Sequence, residues 1–308
     1  METLFLTHPV CRLHDMGQAH PECPERLDAI SDQLLSSGII NYIQSEEVVN
    51  PATDEHLTRV HAQAHLDRLA GWLPAEGVHD IDGDTLMNPH TLDAARHAAG
   101  GVIQAVDAVM AGQAANAFCA VRPPGHHASV ARAMGFCFFN NIAVGIAHAL
   151  ANHGLSRVAI VDFDVHHGNG TEAIFAGDDR VLMCSYFQYP LFPDCGVHEP
   201  AANMCNVPVD AYTRGDHIRE LVTEHWLPRL EAHKPEMIFI SAGFDAHRED
   251  DMAQLGLVES DYVWLTEQLM AVADKHANGR IVSALEGGYN LSALARSVVA
   301  HVRTLAKL

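Results

Sequence analysis

The sequence predicts an α/β fold: a mostly parallel sheet with helices on both faces. Short apolar runs at Val158–Val161, Val181–Tyr186, Met237–Ile240 and Ile281–Leu285 read as buried strands. Stretches with helical apolar spacing alternate with them, which is the βα pattern of a parallel sheet. Polar motifs follow the strands, where open α/β sheets bind ligands beyond the strand carboxyl ends.

Residues 3–7 form a first expected strand. The loop His20-Pro-Glu-Cys-Pro-Glu25-Arg26 opens a helix over Glu25–Leu35, with Pro24 at a helix start. Asp54–Trp72 carries helical spacing through Leu57, Val60, His61, His65, Leu66 and Leu69. Gly77–Pro89, with Asp80, Asp82 and Asp84, reads as a loop. An Ala-rich helix is expected over His90–Ala111, a strand over Asn116–Val121 and a helix over Ile142–Asn152. Tyr189–Gly196 is a Pro/Gly loop carrying Phe192. Helices close the list at Arg214–Ala232, Val258–Ala277 and Leu291–Ala306. No repeat or low-complexity linker divides the chain, so residues 1–308 are expected to be one domain.

Composition narrows the function. The chain is 48% apolar and lacks a charge-free apolar run long enough for a membrane helix. Its N-terminus lacks a basic region followed by an apolar core, so no signal peptide is expected. The net charge of −20 argues against sequence-independent nucleic-acid binding, which needs a basic face. It suits a cationic substrate by steering, or solubility alone. Seven scattered cysteines without a C-x-x-C pair read as reduced thiols in a cytoplasmic protein.

The chemistry concentrates in Asp162-Phe-Asp164-Val-His166-His167-Gly168-Asn169-Gly170. Spacing of two on an extended segment would point Asp162, Asp164 and His166 the same way. Such a cluster is a metal site, a relay around one, or a polar patch at a strand edge. Arg122-Pro123-Pro124-Gly125-His126-His127 presents two imidazoles on a rigid loop, for proton transfer or for loop hydrogen bonding. Gly135-Phe136 begins an aromatic stretch that lines an apolar slot or packs in the core. Asp245 and Tyr289 follow two further strands. Asp164, His166 and Asp245 leave an open position, as in catalytic zinc sites. Two oxygens and one nitrogen also suit Fe²⁺, Co²⁺ or Mn²⁺. Metal-assisted amide hydrolysis is the reaction implied, with Tyr289 donating to the developing oxyanion.

Together, Arg-Pro-Pro-Gly-His-His127, Asp162-x-Asp-x-His-His-Gly-Asn-Gly170, Ser241-Ala-Gly-Phe-Asp-Ala-His247 and Glu286-Gly-Gly-Tyr-Asn290 are specific. Through them the chain resembles the zinc-dependent histone deacetylase superfamily, most closely its class II-like and bacterial amidohydrolase members. The resemblance runs from His20 to Asn290. It implies the arginase/deacetylase fold, a single domain around a mostly parallel sheet of about eight strands. It implies Zn²⁺ on Asp164, His166 and Asp245, with His127 as general base and acid and His126 mainly electrostatic. Asp162 matches the partner of His126. Asn169 stands where class I members carry Asp, which leaves His127 a neutral partner. Tyr289 matches the carbonyl-polarising tyrosine. Gly135, Phe136 and Phe192 match the walls of an acyl-lysine channel; Met252 and Asp84 (or Thr85) fall at its rim. Asp162, Asp164, His166 and Ser185 match a K⁺ site.

The resemblance therefore implies an N-acetyl-lysine deacetylase, acting on an acylated peptide or protein. The alternative is an acetylpolyamine or small acyl-amide amidohydrolase. Polyamine-specific relatives carry a gatekeeper Glu near Met252, and Met252 lacks that charge, which lowers that reading. A non-enzymatic acyl-lysine binder is disfavoured because every motif residue is kept. A two-metal ureohydrolase needs more ligands. The oligomeric state stays open.

Overall fold

The apolar runs assemble as parallel neighbours, because each is buried on both faces and needs helices above and below. The computed structural model describes residues 1–308. In chain order the strands are β1 (Thr3–Thr7), β2 (Gln44–Glu47), β3 (His79–Asp80), β4 (Leu86–Met87), β5 (Asn116–Cys119), β6 (Val158–Asp162), β7 (Val181–Gln188), β8 (Met204–Val209), β9 (Ile238–Ala242) and β10 (Ile281–Leu285). Eight of them form one sheet in the order β2-β1-β5-β10-β9-β6-β7-β8. Every pairing in it is parallel. This is the fold class the sequence predicts.

The helices are α1 (Glu25–Ser37), α2 (Asp54–Leu57), α3 (Gln63–Trp72), α4 (Thr91–Met110), α5 (Asn141–Asn152), α6 (Asn169–Phe175), α7 (Gly215–Leu221), α8 (Leu227–His233), α9 (Glu259–His276) and α10 (Leu291–Leu305). None is long and apolar enough to cross a membrane. The four central strands β5, β10, β9 and β6 are buried along their whole length.

Several expectations need correction. The stretch Asp54–Trp72 is two helices, α2 and α3, not one. Between them the Ala62 N–H bonds Val130 O and His61 Nδ1 lies 2.9 Å from Ser129 O, so a tertiary contact replaces helical turns. The loop 77–89 holds the short antiparallel pair β3/β4. The helix over 214–232 is broken by a π turn at Val222–Trp226. Gly168 is the N-cap of α6, which starts at Asn169 directly after the acidic motif. Strands β2 and β8 were not expected. They are the sheet's two edges: β2 is polar, and β8 carries Pro208, both usual at edges and both weak as strand signals.

Candidate active site

The motifs meet at the carboxyl ends of β5, β6, β9 and β10, which are consecutive in the sheet. Strand β6 ends at Asp162, earlier than an extended run through His166 requires. The acidic side chains cause this. The Asp164 N–H bonds Asp162 Oδ1 at 3.2 Å and the His166 N–H bonds Asp164 Oδ1 at 2.9 Å, so carboxylates take the place of ladder partners. The side chains therefore diverge. Asp162 turns to His126 (Oδ2 to Nδ1, 3.0 Å), while Asp164 and His166 turn to Asp245.

Asp164, His166 and Asp245 are buried, and one ligand atom from each lies within 4.8 Å of the other two. His166 Nδ1 is 3.0 Å from Asp164 Oδ1 and 3.2 Å from Asp245 Oδ2. Asp245 Oδ2 has no hydrogen-bond partner although it is buried. Two buried carboxylates, one of them with an orphan oxygen, beside an imidazole nitrogen fit a divalent cation in charge and donor type. Burial opposes charge on His166, yet its contacts with Asp164 and Asp245 outweigh this and lift its pKa to about 10. Burial, and then the Asp164 charge, push Asp245 up to about 7. The pocket thus recruits positive charge. Backbone closes tightly around it: a Cβ on Gly243 would come within 2.1 Å of Asp164 Oδ2, and one on Gly287 within 2.0 Å of Asp245 Oδ2.

The adjacent histidines are held in opposite states. Burial opposes charge on His126, but Asp164 and Asp162 raise its pKa well above the ordinary value. Burial, then His126, then His166 push His127 well below it. His127 Nδ1 lies 2.7 Å from Asn169 Oδ1. Asn169 Oδ1 can only accept, so Nδ1 carries the proton and Nε2 keeps a free lone pair.

A cavity of about 160 Å³ reaches this cluster, lined by Asp84, His127, Gly135, Phe136, His166, Leu191, Phe192, Met252 and Tyr289. A larger depression of about 750 Å³ between α9 and α10 contains none of these groups. All five expected channel residues line the narrow cavity. Gly135 has φ +54°, and a Cβ there would meet His127 Cδ2 at 2.5 Å. Phe136 is also left-handed, at φ +68°, and its N–H bonds Thr85 Oγ1 at 3.1 Å. Thr85 is buried behind the wall, so Asp84, not Thr85, faces the cavity. Burial, then Asp82, raise the Asp84 pKa. Phe192 stands edge-on to His127, with ring centroids 5.1 Å apart.

Tyr289 enters from the loop after β10. Burial, then Asp245, hold its pKa well above the ordinary value, which keeps the hydroxyl protonated as a donor. The sequence reading missed what places it. The Tyr289 and Asn290 N–H groups both donate to Asp250 Oδ2, at 2.6 and 3.0 Å, and the Met252 N–H donates to Asp250 Oδ1 at 3.0 Å. Arg26 donates to Gly288 O and Glu286 O, and its guanidinium lies 5.0 Å from the Tyr289 ring centroid. Arg26 was visible only as part of a motif. Asp250 had no spacing signal at all. Ser185 is buried on β7 in register with Asp162.

With this geometry in place, a family model described as the histone deacetylase domain matches residues 20–305. The chain belongs to the histone deacetylase family. It is 39% identical over 278 residues to a histone deacetylase-like amidohydrolase of Pseudomonas aeruginosa, covering 88% of this chain and 73% of that one. It is 36% identical to the polyamine deacetylase HDAC10 of Mus musculus, over 95% of this chain but 46% of that longer protein. The crystal structure of the HDA15 HD domain superposes with a TM-score of 0.93 at 31% identity, covering 100% of this chain and 90% of that one. The family membership makes this chain an enzyme of the deacetylase and amidohydrolase type.

Proposed function

We propose that the chain hydrolyses N-acetyl-lysine, in a peptide or protein, with Asp164, His166 and Asp245 holding Zn²⁺ (or Fe²⁺ or Co²⁺). The observation that carries this is a neutral His127 sharing one narrow cavity with Tyr289 and with His166, the member of that buried triad that reaches the cavity wall. Bound there, the ion would supply Lewis-acid polarisation of the amide carbonyl and a lowered pKa for water. His127 Nε2 takes a proton from the attacking water as the new C–O bond forms. Tyr289 donates its O–H to the carbonyl oxygen as charge grows there. His127 then returns the proton to the amine nitrogen as the C–N bond breaks, leaving a free amine and a carboxylic acid. His126, charged and tied to Asp162, supplies positive potential beside the reacting centre.

A slender cavity walled by Phe136 and Phe192 suits the unbranched methylene chain of lysine. Asp162, Asp164, His166 and Ser185 are proposed to hold K⁺ nearby; all four are buried, and Asp162 and Ser185 are register neighbours. Seven free cysteines accord with a reducing cytoplasm.

An acetylpolyamine substrate is the second reading. The carboxyl of Asp84 on the cavity wall favours it, as does the name of the mouse relative; an uncharged Met252 at the rim does not. The deciding experiment compares kcat/KM on acetyl-lysine peptides, longer acyl-lysines, acetylputrescine and acetylspermidine, using metal-reconstituted protein. A peptide preference is expected. A polyamine preference would overturn the lysine assignment, and no turnover with metal bound would overturn both.

A further inference from the structure

Helices α4 and α5 pack against each other, and their C-terminal halves bring a second set of ligating side chains together. Asp107 comes from α4, His148 from α5 and His153 from the residue that caps α5. His148 Nε2 lies 2.7 Å and His153 Nε2 2.6 Å from the same atom, Asp107 Oδ1. The three ligand atoms fall within 4.8 Å of one another. His56 of α2 stands beside them, its ring centroid 5.7 Å from that of His148. A depression of about 480 Å³, lined in part by His56, Asp107 and His148, opens over the cluster.

Two of the possible proton arrangements on these rings bear on the site. With both imidazoles protonated at Nε2, two donors crowd one oxygen. The Nδ1 of His148, in a residue only 6% exposed, has no hydrogen-bond partner, whether it is an acceptor in this arrangement or a donor in the other. With both protonated at Nδ1, three lone pairs converge and repel unless a cation stands between them. We propose that Asp107, His148 and His153 form a second metal site, for a divalent transition ion of the Zn²⁺, Ni²⁺ or Cu²⁺ class. Two imidazoles and one carboxylate select these ions over Mg²⁺ and Ca²⁺, which take oxygen ligands. The Asp107 side chain is 53% exposed and that of His153 24% exposed, so solvent completes the coordination.

The site is separate from the cavity. Helix α5 starts at the catalytic loops, where its N-cap Asn140 donates to Ala128 O beside His127. Its 12 residues span about 18 Å. A metal at the far end would pin α5 to α4 without touching a reacting group.

The test counts bound metal on stripped protein after equilibrium dialysis against Zn²⁺. His153→Ala and Asp107→Asn are each expected to bind one equivalent fewer than the unmodified chain, with hydrolase activity retained. The same loss of one equivalent is expected in an Asp245→Asn background, so the result does not depend on loading at the cavity. Zn²⁺ should also raise the melting temperature of Asp245→Asn, and the added His153→Ala change should abolish that rise. Equal stoichiometry with and without His153 and Asp107 would overturn the proposal and leave the cluster as two imidazoles hydrogen-bonded to a carboxylate.

Discussion

Asp250→Ala removes the acceptor for three backbone N–H groups at once: Tyr289, Asn290 and Met252. Asp250 is 5% exposed, so water does not readily replace it. A hydrogen bond to a charged group contributes about 1.5–3 kcal/mol, so the loop after β10 loses on the order of 3 kcal/mol or more of restraint. Complete removal of an oxyanion donor costs about 10²–10³ in kcat, which sets the ceiling for this variant. A loosened tyrosine keeps part of its effect, so a fall in kcat of about 10- to 100-fold is expected, with metal content unchanged. The assay is a double-mutant cycle with Tyr289→Phe on an acetyl-lysine peptide. If Asp250 acts through Tyr289, the double variant is no slower than Tyr289→Phe alone. Fully additive losses, or an unchanged kcat in Asp250→Ala, would refute the positioning role.

Three further outcomes are expected. Tyr289→Phe should lower kcat by about 10²–10³ while zinc stoichiometry stays that of the unmodified protein, measured by metal analysis. Asn169→Asp should move the acidic limb of the kcat/KM profile to higher pH. An anion 2.7 Å from Nδ1 stabilises the protonated ring, and the base works only when His127 is neutral; an unmoved limb would mean that another group titrates there. The fold should lose stability on acidification. Burial holds His301 down at about 3, and burial with His65 holds His61 at about 4, whereas unfolded histidine titrates near 6.5. Both contributions are complete above pH 6.5. Below it the unfolded chain binds protons that the native chain refuses, so stability falls by about 1.4 kcal/mol per histidine per pH unit until the native pKa is reached. Denaturant titrations at pH 7 and pH 5 measure this, and His301→Leu should flatten the slope.

The readable part of the fold was its interior. Strands such as Val158–Asp162 and Ile281–Leu285 are buried throughout and mostly apolar because both faces are covered, and such a run survives in sequence as a plain signal. The edges were not readable, since Gln44–Glu47 meets solvent and needs no apolar pattern. In the site, Asp164, His166, Asp245, His126, His127 and Tyr289 were identifiable because each sits in a short motif after a strand, and the structure does bring them together. The direction of Asp162 was misjudged because side-chain hydrogen bonds, not strand periodicity, control the backbone after it. Asp250 was invisible for a different reason. It acts on backbone N–H groups 39 and 40 residues away, and a backbone donor carries no residue-type signature.

Strand β10 is the last strand in the chain and yet lies in the middle of the sheet, between β5 and β9. On the ribosome, β5 and β9 both emerge before the strand that joins them. Until β10 arrives, the chain carries two half-sheets with apolar, unpaired inner edges, which invite pairing with other chains. The joining contacts link Ala117 with Val282 and are therefore very distant in sequence, a topology that folds slowly. A stop ahead of Ile281 removes the strand that joins the two half-sheets, so a nonsense codon there yields an aggregating product rather than a weakened enzyme. Catalytic activity in this protein accordingly waits on β10 and is acquired only after that strand has emerged.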